Sequence, residues 1–313
     1  MIDFYFAICL KPKKRSENWN LVLANLQKTL YSIKRSTNQN YHILISTYDP
    51  DDLTNVIDTN KTKLITPNFD PPSSVREADM DKTKNRRLIG SYIGSIEKEP
   101  FYVMFLDADD LVHKNLVDFV LSDNNHRGYI ISEGYVLDIF ERELRRKNEF
   151  NMICGSCYIG YFYPEEMPES TDDTECYFSE HRGHRNNVEI ATKYQRKPDS
   201  IPFPSVVYIK GHEESLETIK RKWKMQRNKM LKFFVLFASV DRAYRMMGYK
   251  INPAKFRKEN KEAKKLLQEE FGLNIHHPLK VIILEKRKLI FLRSVLKKCY
   301  DFAYRKIQYG SKD

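Results

Sequence analysis

Residues 101–110 read Phe-Tyr-Val-Met-Phe-Leu-Asp-Ala-Asp-Asp, so that an apolar run stops at three carboxylates within four positions. The run is short and aromatic or β-branched, which predicts a buried β-strand. Carboxylates at the end of such a strand lie at the rim of a sheet, where open α/β folds bind ligands. Because clustered carboxylates repel one another, a hard divalent cation is their natural partner, and it would bring a phosphate with it. An acidic loop without a ligand is the alternative.

The composition is that of a soluble globular protein. Hydrophobic residues make up 41% and charged residues 30% of the 313 positions, enough for one large domain or two. No apolar run approaches the ~20 residues of a transmembrane helix, and the N-terminus reads as a first strand rather than a signal peptide. The odd number of cysteines favours reduced thiols and a cytoplasmic location. Cys154-Gly-Ser-Cys157 has metal or redox spacing, but its apolar neighbours favour simple packing.

The positive charge is concentrated in the last third of the chain. Residues 213–313 contain 26 lysines and arginines and 11 acidic residues, a net charge of +15. The first 212 residues contain 27 basic and 31 acidic residues, a net charge of −4. This asymmetry predicts two regions with different roles.

Strand and helix patterns alternate over residues 1–212. The predicted strands are Phe4–Leu10, Tyr41–Thr47, Lys63–Thr66, Phe101–Leu106, Gly128–Gly134 and Val206–Ile209, and the predicted helices are Asn18–Ser32, Lys84–Ile96 and Leu116–Leu121. This order predicts an α/β fold with a mostly parallel sheet covered on both faces. The chain has neither a glycine-rich dinucleotide motif nor a P-loop, which disfavours both chemistries. A haloacid dehalogenase-type phosphatase would have Thr or Val where Asp110 follows Asp109.

The arrangement resembles the GT-A glycosyltransferases, and is most similar to bacterial family-2-like enzymes of capsule and lipopolysaccharide assembly. The resemblance covers roughly residues 1–212. It rests on the Asp-x-Asp motif at Asp107 and Asp109, the basic stretch Asp81–Arg87, and the late segment Val206–His212. It implies a Rossmann-like sheet flanked by helices. It also implies metal-dependent transfer of a sugar from a nucleotide-diphosphate sugar, with a UDP-sugar favoured, to a saccharide or lipid-linked acceptor.

The resemblance assigns a donor site. Asp109 is expected to bind Mn2+ or Mg2+, and Asp107 to face the ribose or support the metal. Asp110 is expected either to contact the ion or to support its ligands. His212 is expected either as a third metal ligand, since a neutral imidazole suits Mn2+, or close to the diphosphate. The remaining donor-binding residues implied are Asp49 for the nucleobase, and Lys84 and Arg87 for the diphosphate. The alternatives are a turn role for Asp49, which precedes Pro50, and a solvated helix face for Lys84 and Arg87.

An inverting transfer, which is the expected stereochemistry, needs a general base for the acceptor hydroxyl. Inverting relatives keep an acidic base in the region that corresponds to residues 172–184. Glu180 is the nearest candidate, and His181 and His184 are its rivals. A retaining enzyme would not need this base.

The region 213–313 is predicted to be a basic helical extension of the catalytic domain 1–212. Its predicted helices are Glu214–Met247, Pro253–Phe271 and Leu279–Tyr309. Aromatic and basic residues alternate at helical spacing over Lys286–Lys306, as expected of a helix on an anionic membrane surface. The protein is therefore expected at the inner face of the cytoplasmic membrane, with packing on the catalytic domain as the alternative.

Two other functions fit parts of the sequence. A nucleic-acid-binding protein would suit the basic region, but no nucleic-acid-binding signature is present, so nucleic acid is not an expected partner. A nucleotidyltransferase that makes an activated sugar would also use an acid pair and a metal. Such enzymes normally begin with a glycine-rich basic loop, whereas Lys11–Arg15 is basic without glycine.

Overall fold

The computed structural model describes residues 2–74, 77–215 and 253–282. A seven-stranded sheet forms its centre. From one edge to the other the strands are β10 (Asp199–Ser200), β6 (Tyr129–Ile130), β9 (Tyr158–Phe162), β4 (Phe101–Leu106), β1 (Phe4–Cys9), β2 (His42–Ser46) and β3 (Thr62–Ile65). The strands β4, β1, β2 and β3 run parallel, while β9 is antiparallel to both of its neighbours. The carboxyl ends of the four parallel strands therefore meet at one edge of the sheet.

Helices flank this sheet. Those described are α1 (Trp19–Lys34), α2 (Ala78–Ile96), α3 (Leu116–Asp123), α4 (Tyr177–Glu180), α5 (Asn187–Lys193) and α6 (Pro253–Phe271). The side chain of Asn18 caps α1 by accepting a hydrogen bond from the Leu21 amide at 3.1 Å. Apolar residues at helical spacing, such as Leu26 and Ile33 of α1 and Ile93 of α2, are fully buried in the core. The predicted α/β class and mostly parallel, helix-flanked sheet are confirmed.

The start of α2 differs from the sequence prediction. The helix begins at Ala78, six residues before the predicted start at Lys84. The Glu77 carboxylate accepts hydrogen bonds from the amide and hydroxyl of Ser73, which ties Ser73 to the residue before the helix. Asp79 and Asp81 in the first turn then interact favourably with the helix dipole. The earlier start brings Lys82 into the helix.

A second sheet of five strands packs beside the first. Its strands are, in order, β12 (Lys280–Ile282), β8 (Glu143–Asn148), β7 (Glu133–Asp138), β11 (Val206–Lys210) and β5 (Leu111–Val112). The single strand predicted over Gly128–Gly134 is therefore wrong, because the chain leaves β6 in the first sheet and enters β7 in the second. Backbone hydrogen bonds hold this crossing, from Ile131 to the Cys157 carbonyl and from Phe150 to the Ser132 carbonyl.

The described part of the C-terminal region belongs to the second sheet. The predicted helix Pro253–Phe271 is confirmed as α6. The predicted helix from Leu279 is wrong over Lys280–Ile282, which pair with β8 as a parallel strand. Leu267, Phe271 and Leu279 share a buried cluster with residues of β7 and β11, and this packing overrides the helical pattern.

Two predicted segments fall largely outside the described residues. These are the helix Glu214–Met247 beyond residue 215 and the basic segment Lys286–Lys306. Within the described ranges, no helix combines the length and apolar character that a membrane-spanning segment needs.

Substitution of Leu267 by alanine tests whether α6 is part of the folded unit. Leu267 is fully buried, so Leu267→Ala should lower the free energy of unfolding by about 2–5 kcal/mol. The exposed neighbour provides a matched control, and Gln268→Ala should change it by less than about 0.5 kcal/mol. Denaturant unfolding followed by circular dichroism measures both. Equal stability of the two variants would contradict the packing of α6.

Candidate functional site

A cavity of about 280 Å3 opens where β1 and β4 end. The loop after β1, the first turns of α2, the turn after β4 and the residues after β11 form its walls. Its lining includes charged side chains and one histidine: Lys11, Arg15, Asp81, Lys82, Asp107, Asp109, His212 and Glu214. The position agrees with the expectation that the acidic cluster lies at a ligand-binding edge of the sheet.

Asp107 faces the cavity and is held from two sides. Its carboxylate forms an ion pair with Lys82, and its backbone amide donates to the Ser156 hydroxyl at 2.9 Å. Burial favours a higher pKa for Asp107, but the positive charges of Lys82 and Arg86 outweigh it and lower this pKa. The loop at Gly155 lies so close that a Cβ there would be 2.8 Å from an Asp107 carboxylate oxygen. A side chain at position 155 would therefore push against Asp107.

Asp109 and His212, the two residues expected to share the metal, are in contact. Their Oδ2 and Nε2 atoms are 2.9 Å apart. His212 follows Gly211, which has a φ of +82° and lies against the Asp138 carboxylate. Glycine at position 211 therefore permits the turn that directs His212 back to Asp109. The other ring nitrogen of His212 is buried and has no hydrogen-bond partner among the described residues.

Asp110 lies behind the cavity rather than in its lining. It is fully buried and accepts hydrogen bonds from the Ser156 hydroxyl at 2.6 Å, the Cys154 thiol at 3.2 Å and the Ile209 amide at 3.3 Å. Burial, followed by the negative charges of the two neighbouring aspartates, raises its pKa. Asp110 therefore joins the end of β4 to β11 and to the loop before β9. It supports the site but does not face the cavity.

Cys154 and Cys157 lie in the segment before β9 that contacts Asp110. Cys154 and Cys157 are both buried and free. Burial raises the pKa of each thiol, which keeps both protonated at neutral pH. Both observations favour the packing interpretation over a metal or redox role.

The sequence analysis missed two lysines that face the cavity, Lys82 and Lys11. Lys82 is paired with Asp107, and Lys11 is paired with Glu214. Glu214 also accepts from the Asn18 amide, so it fastens the chain after β11 to the start of α1. Ala78, Asp81 and Lys82 have helical spacing in the sequence. They were not assigned to the helix because its start was predicted at Lys84.

Lys84 and Arg87, expected near the diphosphate, lie on another face of α2 and are not among the described residues that line the cavity. The Lys84 ammonium lies 4.3 Å from the centroid of the Phe69 ring and 3.8 Å from the Asp172 carboxylate. The Arg87 guanidinium donates to the Thr171 carbonyl. The structure therefore does not bring these two side chains together with Asp107 and Asp109.

Asp49, expected near the nucleobase, shapes the loop after β1. Its carboxylate accepts a hydrogen bond from the Lys13 amide at 2.8 Å, and its own amide donates to the Thr47 hydroxyl at 3.1 Å. Asp49 is not among the described residues that line the cavity. Its contacts agree with the turn role that an Asp-Pro sequence favours.

Glu180, the first candidate base, is held in an ion pair. Lys193 Nζ lies 2.8 Å from its carboxylate, and the Tyr194 hydroxyl donates to it at 2.6 Å. These two hydrogen bonds lower the pKa of Glu180, which makes the carboxylate a weaker proton acceptor. Glu180 is not among the described residues that line the cavity.

The two candidate histidines have different surroundings. His181 is buried, stacks on the Tyr158 ring at 4.5 Å between centroids, and lies 3.1 Å from the Asn187 amide oxygen. Burial lowers the pKa of His181 to about 4, as expected of a neutral core histidine. His184 is partly exposed, and its Nε2 lies 3.4 Å from the Met152 carbonyl oxygen. Burial, and then the positive charge of Arg185, lower the pKa of His184, whereas the contact with Met152 and the charge of Asp107 act in the opposite direction. Neither histidine is among the described residues that line the cavity.

Asp107, Asp109 and His212 bring carboxylate oxygens and an imidazole nitrogen to the cavity. Among the described residues, no group of three or more His, Cys, Asp or Glu side chains is arranged to hold a metal ion. An ion held by the adjacent pair Asp109 and His212, with Asp107 in the same cavity lining, would need its remaining ligands from phosphate or water. Carboxylate oxygens are ligands that Mg2+ and Mn2+ both take, whereas an imidazole nitrogen favours Mn2+ over Mg2+.

No protein-family model matches this chain, and no curated protein matches it at a significant level. The assignment of a function therefore depends on the residues and their geometry.

The buried His181 should make stability depend on pH. A histidine with a lowered folded-state pKa is neutral when folded but takes up a proton when unfolded, so stability falls as pH drops from about 6.5 to about 4. A shift of this size corresponds to about 3 kcal/mol. His181→Phe should remove this part of the pH dependence in denaturant unfolding, whereas His126→Phe, at an exposed position, should leave it in place. An unchanged pH profile in His181→Phe would contradict the assignment.

Proposed function

We propose that this chain is a metal-dependent glycosyltransferase of the GT-A type that transfers a sugar from a nucleotide-diphosphate sugar, with UDP-sugars favoured. The observation that carries the proposal is the contact between Asp109 and His212 beside Asp107, in a cavity that two lysines also face. This donor set and these cations together suit a metal-bound diphosphate better than an uncharged ligand.

Asp109 and His212 would hold Mn2+ or Mg2+, with Asp107 as a further oxygen ligand or a support. When bound, the ion supplies Lewis-acid stabilisation of the negative charge on the departing diphosphate. Asp110, bonded to Ser156 and Ile209, keeps the end of β4 in place while the two cavity-facing aspartates bind. This support matters because misplacement of catalytic groups by about 1 Å can cost about 100-fold in rate.

The lysines of the cavity would bind the phosphates directly. Lys82 and Lys11 are each paired with a carboxylate, Asp107 and Glu214 respectively. A diphosphate carries more negative charge than one carboxylate and accepts several hydrogen bonds, so it can compete for both ammonium groups. Release of Lys82 would also free Asp107 to face the ion or the ribose.

For an inverting transfer, His184 is the base we propose: like the other two candidates it lies outside the described cavity lining, but the charge of Asp107 is among those that affect its pKa. Its lowered pKa means that the imidazole is neutral at neutral pH and able to accept a proton. The Glu180 carboxylate already accepts hydrogen bonds from Lys193 and Tyr194. The Nδ1 atom of His181 already contacts the Asn187 amide oxygen. The proposal is therefore single-step inversion with this base. A retaining transfer would not need the base.

The acceptor proposed is a saccharide or a lipid-linked saccharide of bacterial surface polysaccharide synthesis. The net charge of +15 after residue 212 supports a location at the inner face of the cytoplasmic membrane. A basic region of this kind attracts the protein to the anionic surface where lipid-linked acceptors lie.

Asp109→Asn tests the metal site. The wild-type protein should gain thermal stability from UDP with Mn2+, and more than from UDP with EDTA, because the ion joins phosphate to protein. Asp109→Asn should lose the Mn2+-dependent part of the gain and lower transfer by about 100-fold or more. The matched control is Asp51→Asn, an exposed aspartate in the loop after Asp49, which should behave as wild type.

Thermal shift across UDP, GDP, CMP and dTDP, followed by product analysis, completes this experiment. Full activity in EDTA would contradict a metal-dependent transfer. Formation of a nucleotide sugar from a sugar phosphate and a nucleoside triphosphate would identify a nucleotidyltransferase instead.

Substitution of the candidate bases separates the two assignments. His184→Ala should lower turnover by roughly 100- to 10,000-fold while donor binding stays intact. Glu180→Gln should have a much smaller effect, because the ion pair with Lys193 makes Glu180 a poor acceptor. Turnover and donor affinity are measured separately for both variants. A large loss in Glu180→Gln with full activity in His184→Ala would restore Glu180 as the base.

A further inference from the structure

The residues Cys154 to Cys157, which precede β9, form a loop against the acidic cluster, and we call them the Cys154–Cys157 loop. Its two thiols are free and buried, which favours packing as the role of the cysteines themselves. The loop nevertheless contacts both Asp107 and Asp110. These contacts come chiefly from the two residues between the cysteines.

Ser156 holds two of the aspartates at once. Its side chain is fully buried, and its hydroxyl donates a hydrogen bond to the Asp110 carboxylate at 2.6 Å while it accepts one from the Asp107 amide at 2.9 Å. The Cys154 thiol donates to the same Asp110 carboxylate at 3.2 Å, and the Ser156 amide donates to the Cys154 sulfur at 3.4 Å. Because a hydroxyl has a single hydrogen, these contacts fix its direction. Ser156 thereby fixes the backbone of Asp107 relative to a buried carboxylate.

Gly155 leaves the space that the Asp107 carboxylate occupies. A Cβ at position 155 would lie 2.8 Å from Oδ2 of Asp107 and 3.5 Å from its Cγ and Oδ1, and these are the three nearest atoms. Gly155 is not among the described glycines with a positive φ, so the backbone does not require glycine here. The close approach of the Asp107 carboxylate is the constraint that excludes a side chain.

The loop contacts are independent of the ion pair between Asp107 and Lys82. Lys82 reaches the carboxylate from α2, whereas Gly155 and Ser156 belong to the segment before β9. In the proposed function a diphosphate draws Lys82 away, and Asp107 then loses the cation that neutralises it. The contacts from Gly155 and Ser156 would persist and keep Asp107 in place.

We propose that Gly155 and Ser156 are positioning residues for the donor site, which set the orientation of Asp107 towards the metal-bound diphosphate. Ser156 fixes its backbone, and Gly155 limits where its carboxylate can lie. A functional group must be held within about 0.5 Å of its productive position, and a carboxylate pushed away by a new Cβ would move by a comparable distance. The inference rests on the proposed function, since it assigns Asp107 to the donor, and it adds the residues that act through Asp107.

Gly155→Ala tests the steric part of this proposal. The affinity of the full chain for UDP with Mn2+, measured by titration calorimetry, should fall by about tenfold or more, because the new methyl group displaces the Asp107 carboxylate. The matched control is Gly183→Ala. A Cβ there meets no atom within 4 Å, and its φ of −140° suits any residue, so UDP affinity should equal that of wild type. Equal affinity of the two variants would overturn the proposal.

A double-mutant cycle with Asp107→Ala shows whether Gly155 acts through this carboxylate. In the ligand-free protein, Gly155→Ala should lower the melting temperature when Asp107 is present. In the Asp107→Ala background it should leave the melting temperature unchanged or raise it, because the clash is gone and alanine restricts the unfolded chain more than glycine does. A similar decrease in both backgrounds would overturn the proposal. This measurement uses no donor, so it distinguishes a failure of the contact from a failure of the proposed function.

Ser156→Ala tests the hydrogen-bonded part. It should weaken UDP binding in Mn2+ by about three- to tenfold, since the loss of one hydrogen bond has an effect of this size. The matched control is Ser32→Ala. The Ser32 hydroxyl is also fully buried, donates to the Thr29 carbonyl at 2.7 Å and accepts from the Val112 amide at 3.1 Å. Its loss should lower the melting temperature as Ser156→Ala does but leave UDP affinity as in wild type.

Two results of the serine experiment would contradict these assignments. Equal UDP affinity of Ser156→Ala and Ser32→Ala would overturn the positioning role of Ser156. Absence of Mn2+-dependent UDP binding in the wild-type protein would refute the proposed function, and with it the donor-site role of both Gly155 and Ser156.

Discussion

The mutual repulsion of Asp107, Asp109 and Asp110 is the constraint on which the rest of this structure depends. Three carboxylates within four residues at the end of a buried strand would be unfavourable if all were ionised without partners. The fold gives each one a different partner. Lys82 neutralises Asp107, His212 contacts Asp109, and Asp110 is buried among hydrogen-bond donors with a raised pKa. Elements far apart in the chain are thereby joined at one edge of the sheet.

This division of partners leaves two aspartates available to a ligand and one reserved for support. Asp110 accepts hydrogen bonds from Ser156 and Ile209. It thereby connects the end of β4 to the loop before β9 and to β11 of the second sheet. Asp107 and Asp109 instead face the cavity, where they contact Lys82 and His212 respectively. If a metal-bound diphosphate binds here as proposed, it would exchange the ion pair of Asp107 with Lys82 for new charged contacts rather than expose buried charge, which limits the cost of desolvation.

The sequence predicted the parts of this arrangement that depend on local pattern. The strand Phe101–Leu106 and the acidic residues after it were found because apolar character stops there, and His212 was found because it follows the last strand of that pattern. Lys82 was missed because the residues that order the start of α2 lie before the apolar repeat, in the contacts of Ser73 with Glu77. Roles that depend on distant partners, such as that of Glu180 with Lys193, have no local signal. The crossing from β6 to β7 is likewise set by backbone bonds to other strands.

The most direct test of the account is a crystal structure grown with UDP and Mn2+, with the metal located by its anomalous scattering. The account predicts a single strong Mn2+ peak that contacts Asp109 and His212, with diphosphate oxygens on the ion and Lys82 turned from Asp107 towards the phosphates. A peak at another place, or UDP bound away from the end of β4, would contradict the claim that the acidic cluster is a metal–nucleotide site.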